Sequence, residues 1–118
     1  MSNPIQELHD KLNIFYKERD WLQFHTPKNL VMALTGEVGE LSEIFQWLTP
    51  EQSQSIMIDD VKAQAVKDEL ADIFIYTISL ADKLGVDIVE AANNKVEHNA
   101  QKYPVSKSRG NAKKYSEL

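Results

Sequence analysis

Apolar residues recur every three or four positions along most of the chain, a spacing typical of helices that bury one face. The pattern predicts helices at about 4–20, 27–48, 60–84 and 88–101. Prolines follow the N-cap candidates of the first two, and Gly85 suits the C-cap of the third. We find no convincing period-two alternation of a β-strand. The pattern therefore predicts an all-α fold built as a four-helix bundle.

The connecting segments set the expected domain boundaries. Thr49-Pro50-Glu51-Gln52 forms a capping box, so the second helix should end before it and residues 50–58 should form a short helix or a loop. Beyond Tyr103-Pro104 the chain becomes polar and basic. We expect one domain at 1–104 and a tail at 105–118 that is ordered only by contact with another surface or ligand.

Two acidic pairs, Glu37/Glu40 and Glu69/Asp72, lie on the second and third predicted helices with 28 residues between them. Residues three apart share one helix face, so facing helices would bring four carboxylates into one cleft. Such a cluster is costly unless a cation neutralises it, and all-oxygen ligands suit Mg²⁺, or Mn²⁺. The alternative is that both pairs lie on solvated helix faces.

Aromatic residues accompany both acidic pairs. Trp47 lies seven residues beyond Glu40, which on a helix is nearly the same face and about 10 Å further along. That separation suits a nucleotide whose phosphates meet the carboxylates and whose base stacks on Trp47. Tyr76 follows Asp72 by four residues, and antiparallel helices would place it towards the phosphates. Alternatively, Trp47 belongs to the core or to an interface.

Two further segments hold candidate substrate contacts. The link Trp21-Leu22-Gln23-Phe24-His25 carries two large aromatic residues and a histidine, which is unusual for a short connection. Its aromatic residues have the alternative role of covering the end of the core. On the fourth helix, Lys95, Asn99 and Lys102 share a face and can donate to phosphate or base oxygens. The alternative there is an ordinary solvated face.

Composition and charge exclude several classes of function. The chain of 118 residues has no cysteine, which excludes disulfides, zinc–thiolate sites and cysteine nucleophiles. Residues 1–94 carry 7 basic and 16 acidic residues, which argues against a nucleic-acid partner. No apolar run is long enough to span a membrane and no signal peptide is recognisable, so we expect a cytoplasmic protein. Neither a Glu-x-x-His ligand motif nor a glycine-rich phosphate loop occurs.

Several motifs together resemble one known family. Glu37-x-x-Glu40 followed by Glu69-x-x-Asp72 resembles the metal motif of the MazG-like all-α nucleoside triphosphate pyrophosphohydrolases. The wider context is similar to the dCTP pyrophosphatase branch of that family, over nearly the whole chain. The motifs that carry this likeness are Glu18-Arg19-Asp20-Trp21, Gln23-Phe24-His25, Gly36-Glu37-Val38-Gly39-Glu40-Leu41, Phe45-Gln46-Trp47, Glu69-Leu70-Ala71-Asp72-Ile73, Lys102-Tyr103-Pro104 and Lys114-Tyr115-Ser116-Glu117-Leu118.

The resemblance implies an Mg²⁺-dependent enzyme that hydrolyses a nucleoside triphosphate to a monophosphate and pyrophosphate. It also implies a homo-oligomer, either a dimer or a tetramer built as a dimer of dimers. By the same resemblance, the catalytic metal ligands are Glu37, Glu40, Glu69 and Asp72. The implied substrate contacts are Trp21, Leu22, Gln23, Phe24, His25 and Trp47 around the base, Tyr76 near the phosphates, and Lys95 and Asn99.

Two departures from the family pattern bear on the substrate. Gly36 stands where many relatives have a further glutamate, and Leu12 stands where relatives in the dCTP branch can place a histidine facing the base. The dCTP branch shares the glycine at position 36, and the resemblance to that branch implies dCTP or a modified dCTP as substrate in sanitation of the nucleotide pool. A dUTP or broad-specificity pyrophosphohydrolase is the alternative enzyme, and a non-catalytic helical adaptor is the alternative outside enzymes.

Overall fold

The computed structural model describes residues 3–118, and every regular element among them is helical. Three-residue 3₁₀ turns at Leu22–Phe24, Ile56–Ile58 and Tyr115–Glu117 accompany the helices. Because these residues include no strand, the predicted all-α fold is confirmed. The helices are α1 (Pro4–Glu18), α2 (Pro27–Phe45), α3 (Pro50–Gln54), α4 (Asp60–Leu84), α5 (Ile88–Lys102) and α6 (Val105–Ser108).

Side chains cap the helices where the sequence places capping residues. The Asn3 side chain accepts a hydrogen bond from the backbone N–H of Gln6 at 3.2 Å and opens α1. Asp59 opens α4 by accepting from Lys62, also through its side chain. Gly85 ends α4 in the left-handed conformation, with φ +67°, which a residue without a Cβ adopts at little cost. Local hydrogen bonding therefore fixes the two ends of α4.

The second helix is shorter than predicted and ends at Phe45 rather than near residue 48. Thr49 is extended and forms a capping box with Gln52, so a new helix must begin there. Pro50 cannot continue α2 because it lacks a backbone N–H and its ring would clash with the preceding turn. Residues 46–47 form a turn instead.

The chain divides into two units, Met1–Gly85 and Val86–Leu118. In the first unit α2 packs along α4, and α1 also contacts α4. Its buried apolar side chains are Tyr16, Leu30, Ile56, Ala63, Val66, Ile78 and Ala81. Because α4 contacts both other long helices, it forms the centre of this unit.

The second unit contains α5 and the C-terminal residues. The ring of Tyr115 packs edge-on against Tyr103, with 6.2 Å between the ring centroids. The Lys102 ammonium lies 4.7 Å from the centre of the Tyr115 ring, a cation–π contact. The tail thus contacts the end of the helix that precedes it, and its expected dependence on another surface or ligand stays a prediction. The division into a domain of 1–104 and a tail of 105–118 stays a prediction.

Among residues 3–118, every helix is too short or too polar to cross a bilayer.

Candidate active site

The packing of α2 along α4 brings the acidic pairs together. Glu37 and Glu40 project from α2, and Glu69 projects from α4. One carboxylate oxygen from each of these three residues lies within 4.8 Å of the other two. The two acidic motifs therefore meet in space although 28 residues separate them in the sequence.

The close approach of these carboxyls raises the pKa of two of them. The hydrogen bond between the Glu37 and Glu69 carboxyls, the burial of Glu37 and the charges of Glu40 and Asp72 raise the pKa of Glu37 to about 7. For Glu69, the hydrogen bond from Glu37 lowers the pKa, but burial and the same two charges outweigh it, so the pKa is raised. Like charges held close together disfavour ionisation, so Glu37 is partly protonated near neutral pH.

The residues present fit a divalent cation. Glu37 Oε2 and Glu69 Oε2 are buried, and neither has a hydrogen-bond partner within the chain. A buried ionised oxygen without a donor is costly, so each needs a proton or a cation. A set of carboxylate oxygens suits Mg²⁺ or Mn²⁺ rather than softer metals.

Asp72 is not among the three residues whose oxygens lie within 4.8 Å of one another. Its charge nevertheless raises the pKa of both Glu37 and Glu69, which places it beside the cluster. Its predicted role as a fourth ligand stays a prediction.

Tyr76 lies next to the acidic cluster. Burial raises the pKa of its hydroxyl, and the charges of Glu37 and Asp72 raise it further. A phenol with a raised pKa keeps its proton at neutral pH and remains a hydrogen-bond donor. Its expected place near the phosphates of a substrate stays a prediction.

The segment 21–25 leaves α1 through a sharp turn. Asp20 has φ +55°, a left-handed conformation that aspartate tolerates better than most residues. The Gln23 amide donates to the backbone oxygen of Asp20 at 2.9 Å and to its carboxylate at 3.0 Å. The Trp21 ring packs edge-on against Phe15 at 5.6 Å, yet Trp21 and Phe24 both remain exposed.

Leu22 and His25 face the interior of the first unit instead. They border a cavity of about 10 Å³, the room that one water needs. Burial and the charge of Lys83 lower the pKa of His25, so its ring is neutral at pH 7. The residues predicted at 21–25 thus divide into exposed and interior members. The other cavity residues are His9, Leu12, Asn13, Tyr16, Ser79, Asp82 and Lys83.

Trp47 is 86% exposed and lies in the turn beyond the end of α2. This exposure argues against a core role within the chain. The sequence-based distance of about 10 Å between Glu40 and Trp47 assumed that α2 continues through Trp47. Because α2 ends at Phe45, that distance no longer applies.

Lys95 and Asn99 lie on α5, four residues apart, and both are exposed. They belong to the second unit, and their predicted contact with substrate stays a prediction.

Sequence reasoning missed a polar network beside the cavity. His9 Nε2 lies 2.8 Å from the Asp82 carboxylate, and the hydroxyls of Tyr16 and Ser79 lie 3.0 Å apart. Tyr16 follows Leu12 by four residues, so its inward position was readable from the pattern. Its partner, 63 residues away, was not.

A family model described as the MazG-like family matches residues 33–118, which include both acidic pairs. The chain belongs to the MazG-like family. It is 44% identical over 114 residues to the mouse protein named dCTP pyrophosphatase 1, 45% to the cattle protein of that name and 41% to the human one. The match to the mouse protein includes 97% of this chain but spans only 65% of the relative's length.

A solved structure supports the same family. The crystal structure of a pyrophosphatase from Archaeoglobus fulgidus superposes with a TM-score of 0.81 at 37% identity. The match covers 88% of this chain and 95% of the archaeal one. The MazG-like helical fold is therefore shared over nearly the full length of a solved relative.

The raised pKa of Glu37 predicts how stability without metal depends on pH. The ordinary pKa of a glutamate carboxyl is 4.5, and the fold raises the pKa of Glu37 to about 7. Between these values the folded chain binds more protons than the unfolded chain, so stability should fall as pH rises through this window. Urea unfolding with a chelator present, at intervals from pH 5 to pH 8, measures this slope.

The variant Glu37→Gln should reduce that slope, because an amide does not titrate. Glu43→Gln is the matched control, since Glu43 is exposed on the same helix. Equal slopes for the wild type and Glu37→Gln would contradict the raised pKa of Glu37.

Proposed function

We propose that this chain is a divalent-cation-dependent nucleoside triphosphate pyrophosphohydrolase that uses Mg²⁺. It would convert a deoxynucleoside triphosphate to the monophosphate and pyrophosphate, consuming one water at the bond between the α- and β-phosphates. We propose dCTP or a modified dCTP as the preferred substrate, which would make the enzyme a sanitiser of the nucleotide pool. We further propose that it acts in the cytoplasm on free nucleotides, with neither nucleic acid nor a membrane as partner.

The observation that carries the proposal is the meeting of three carboxylates from two helices, with two of their oxygens buried and unpartnered. The mammalian relatives named dCTP pyrophosphatase 1 support the reaction, and so does the archaeal structure described as a pyrophosphatase. A helical adaptor gives no reason to bring like charges together in a half-buried position, where they destabilise the fold.

Under this proposal Glu37, Glu40, Glu69 and Asp72 hold the cation. When bound, a divalent cation supplies positive charge to a triphosphate and makes a water molecule more acidic. Glu37 must give up its proton on binding, because a carboxylate ligand is ionised. No protein nucleophile is required, which suits a chain without cysteine.

The remaining residues would bind and orient the nucleotide. The protonated Tyr76 hydroxyl, beside Asp72, would donate to a phosphate oxygen. Trp47 and the exposed rings of Trp21 and Phe24 would contact the base, since each offers an aromatic face. Leu22, Gln23 and His25 would shape the base segment. Lys95 and Asn99 on α5 are proposed separately as donors to substrate oxygens.

Leu12 bears on which base the enzyme prefers. Leu12 borders the cavity beside His25, where a relative's histidine would bring a polar group. An apolar residue there weakens discrimination by hydrogen bonding, which favours a dUTP or broad-specificity enzyme as the second candidate. Pyrophosphate release from a panel of canonical and modified nucleoside triphosphates with Mg²⁺ separates these candidates, and no turnover on any of them would refute the proposal.

We also propose a homo-oligomer, most simply a dimer of dimers. Large apolar side chains that are exposed in the single chain support it, because soluble monomers rarely expose a wide apolar surface. Those with the greatest exposure include Trp47, Ile58, Val61, Val96 and Val105.

Glu40→Gln should abolish turnover while the helical circular dichroism signal is retained. The amide keeps the shape of the side chain but loses the charge that holds Mg²⁺. Without metal its stability should equal or exceed that of the wild type, because one like charge leaves the cluster. Turnover at saturating Mg²⁺ in this variant would contradict the metal assignment, and Glu43→Gln again serves as the exposed control on α2.

Trp47→Ala should raise KM for the preferred nucleotide by roughly tenfold, because stacking of one base on an aromatic ring contributes about 1–3 kcal/mol. Inhibition by pyrophosphate, which has no base, should be unchanged. An unaltered nucleotide KM would remove Trp47 from the base site and leave the interface as its role.

Light scattering of active enzyme should give a mass at least twice the 13.5 kDa of one chain. A stable active monomer would refute the oligomer. Substituting Ile58 by Asp provides a second measurement, since a charge on a buried interface should shift the mass distribution towards the monomer.

A further inference from the structure

A buried pair of hydroxyls links α1 to α4. Tyr16 is 6% exposed and Ser79 is 8% exposed, and their hydroxyl oxygens lie 3.0 Å apart. One hydroxyl donates to the other, so each polar group is satisfied within the core. An apolar pair would fill the same space without this requirement, and a directional bond fixes the position of α1 along α4 more tightly than apolar packing does.

Tyr16 also holds the segment proposed to contact the base. Its backbone oxygen accepts a hydrogen bond from the Trp21 N–H at 3.0 Å. Its ring meets the His25 ring edge-on, with the centroids 4.3 Å apart and an angle of 85° between the planes. Tyr16 therefore holds both ends of the segment 21–25: its backbone oxygen holds Trp21, and its ring holds His25.

Ser79 places the other side of this link on the helix of the acidic cluster. It follows Asp72 by seven residues and Tyr76 by three, so all three lie near one face of α4. Tyr16 is close enough to Tyr76 to contribute to its raised pKa. The link thus lies about one helical turn from the hydroxyl proposed to meet the phosphates.

We propose that Tyr16 is a positioning residue, whose hydrogen bond to Ser79 sets the distance between the base-binding segment 21–25 and the carboxylates of α4. This inference rests on the proposed function. A nucleotide spans both regions, so a shift of the segment along α4 weakens the binding of a base and its phosphates together. A polyphosphate without a base engages the acidic end alone and does not sense the shift.

The experiment compares Tyr16→Phe, Ser79→Ala and the double variant with the wild type. Each is assayed for nucleotide KM and for inhibition by inorganic tripolyphosphate, with Mg²⁺ present. We expect KM to rise roughly three- to tenfold in all three variants, the range that loss of one buried hydrogen bond produces. The inhibition constant of tripolyphosphate should stay within about twofold of the wild-type value.

Unfolding measurements separate positioning from packing. Ser79→Ala leaves the Tyr16 hydroxyl buried without a partner, whereas in Tyr16→Phe the Ser79 hydroxyl can still donate to a backbone carbonyl one turn back in α4. Ser79→Ala should therefore be the least stable of the three. The double variant leaves no unpaired hydroxyl and should recover stability, and it folds even where Ser79→Ala does not. Its KM should remain as high as in the single variants. If KM instead returns to the wild-type value with stability, Tyr16 acts only in the core and the inference is overturned.

Thr77→Val is the matched control. Its hydroxyl donates to the Ile73 backbone oxygen at 2.7 Å within α4, so its loss removes a half-buried hydroxyl without touching the link. Both kinetic constants should stay at the wild-type values. An equal rise of the tripolyphosphate inhibition constant and the nucleotide KM in Tyr16→Phe would show general distortion of the site and overturn the inference.

If the proposed function is wrong, the wild type will hydrolyse no nucleoside triphosphate, which is a different result from any of those above. The inference is then judged by calorimetric binding of a nucleoside triphosphate and of tripolyphosphate. Selective weakening of the nucleotide in Tyr16→Phe would support it. Equal weakening of both, or no weakening, would overturn it.

Discussion

The mutual repulsion of carboxylates between α2 and α4 is the constraint on which the arrangement of the site depends. Glu37, Glu40 and Glu69 are held with oxygens within 4.8 Å by helix packing that lies outside the cluster. Apolar contacts between the two helices must overcome this repulsion whenever no cation is bound, because charge of one sign at short range opposes association. The fold thus keeps a costly arrangement ready before any ligand arrives, which is common at functional sites.

Much of the fold was predictable because its signals are local. Helical spacing of apolar residues, proline after an N-cap and glycine at a C-cap depend on neighbours in the sequence, and α4 begins and ends at the predicted residues. The end of α2 was less accessible, since the apolar pattern continues to Leu48 while Thr49 and Pro50 force a new start. The prediction already allowed for this new start, and residues 46–48, which the apolar pattern assigned to the helix, form a turn and a connection instead.

The acidic site was predictable in part for a different reason. Equal spacing within two motifs, Glu37-x-x-Glu40 and Glu69-x-x-Asp72, indicates one shared face on each helix, but only packing decides that the faces meet. The hydroxyl pair of Tyr16 and Ser79 had no such signal. Neither residue belongs to a motif. A single hydrogen bond between residues 63 positions apart produces no repeating pattern in the sequence. The division of segment 21–25 into exposed and interior side chains depends in turn on the left-handed turn at Asp20.

The raised pKa of Glu37 also affects how metal binding is measured. Near pH 7 Glu37 is partly protonated, and a cation that binds its carboxylate displaces this fraction of a proton, so the net charge gained by the protein is smaller than the charge of the ion. The released proton is taken up by the buffer, whose heat of ionisation is added to the heat of binding. Calorimetric enthalpies of metal binding will therefore vary from one buffer to another at a single pH, and the slope of that variation counts the protons released.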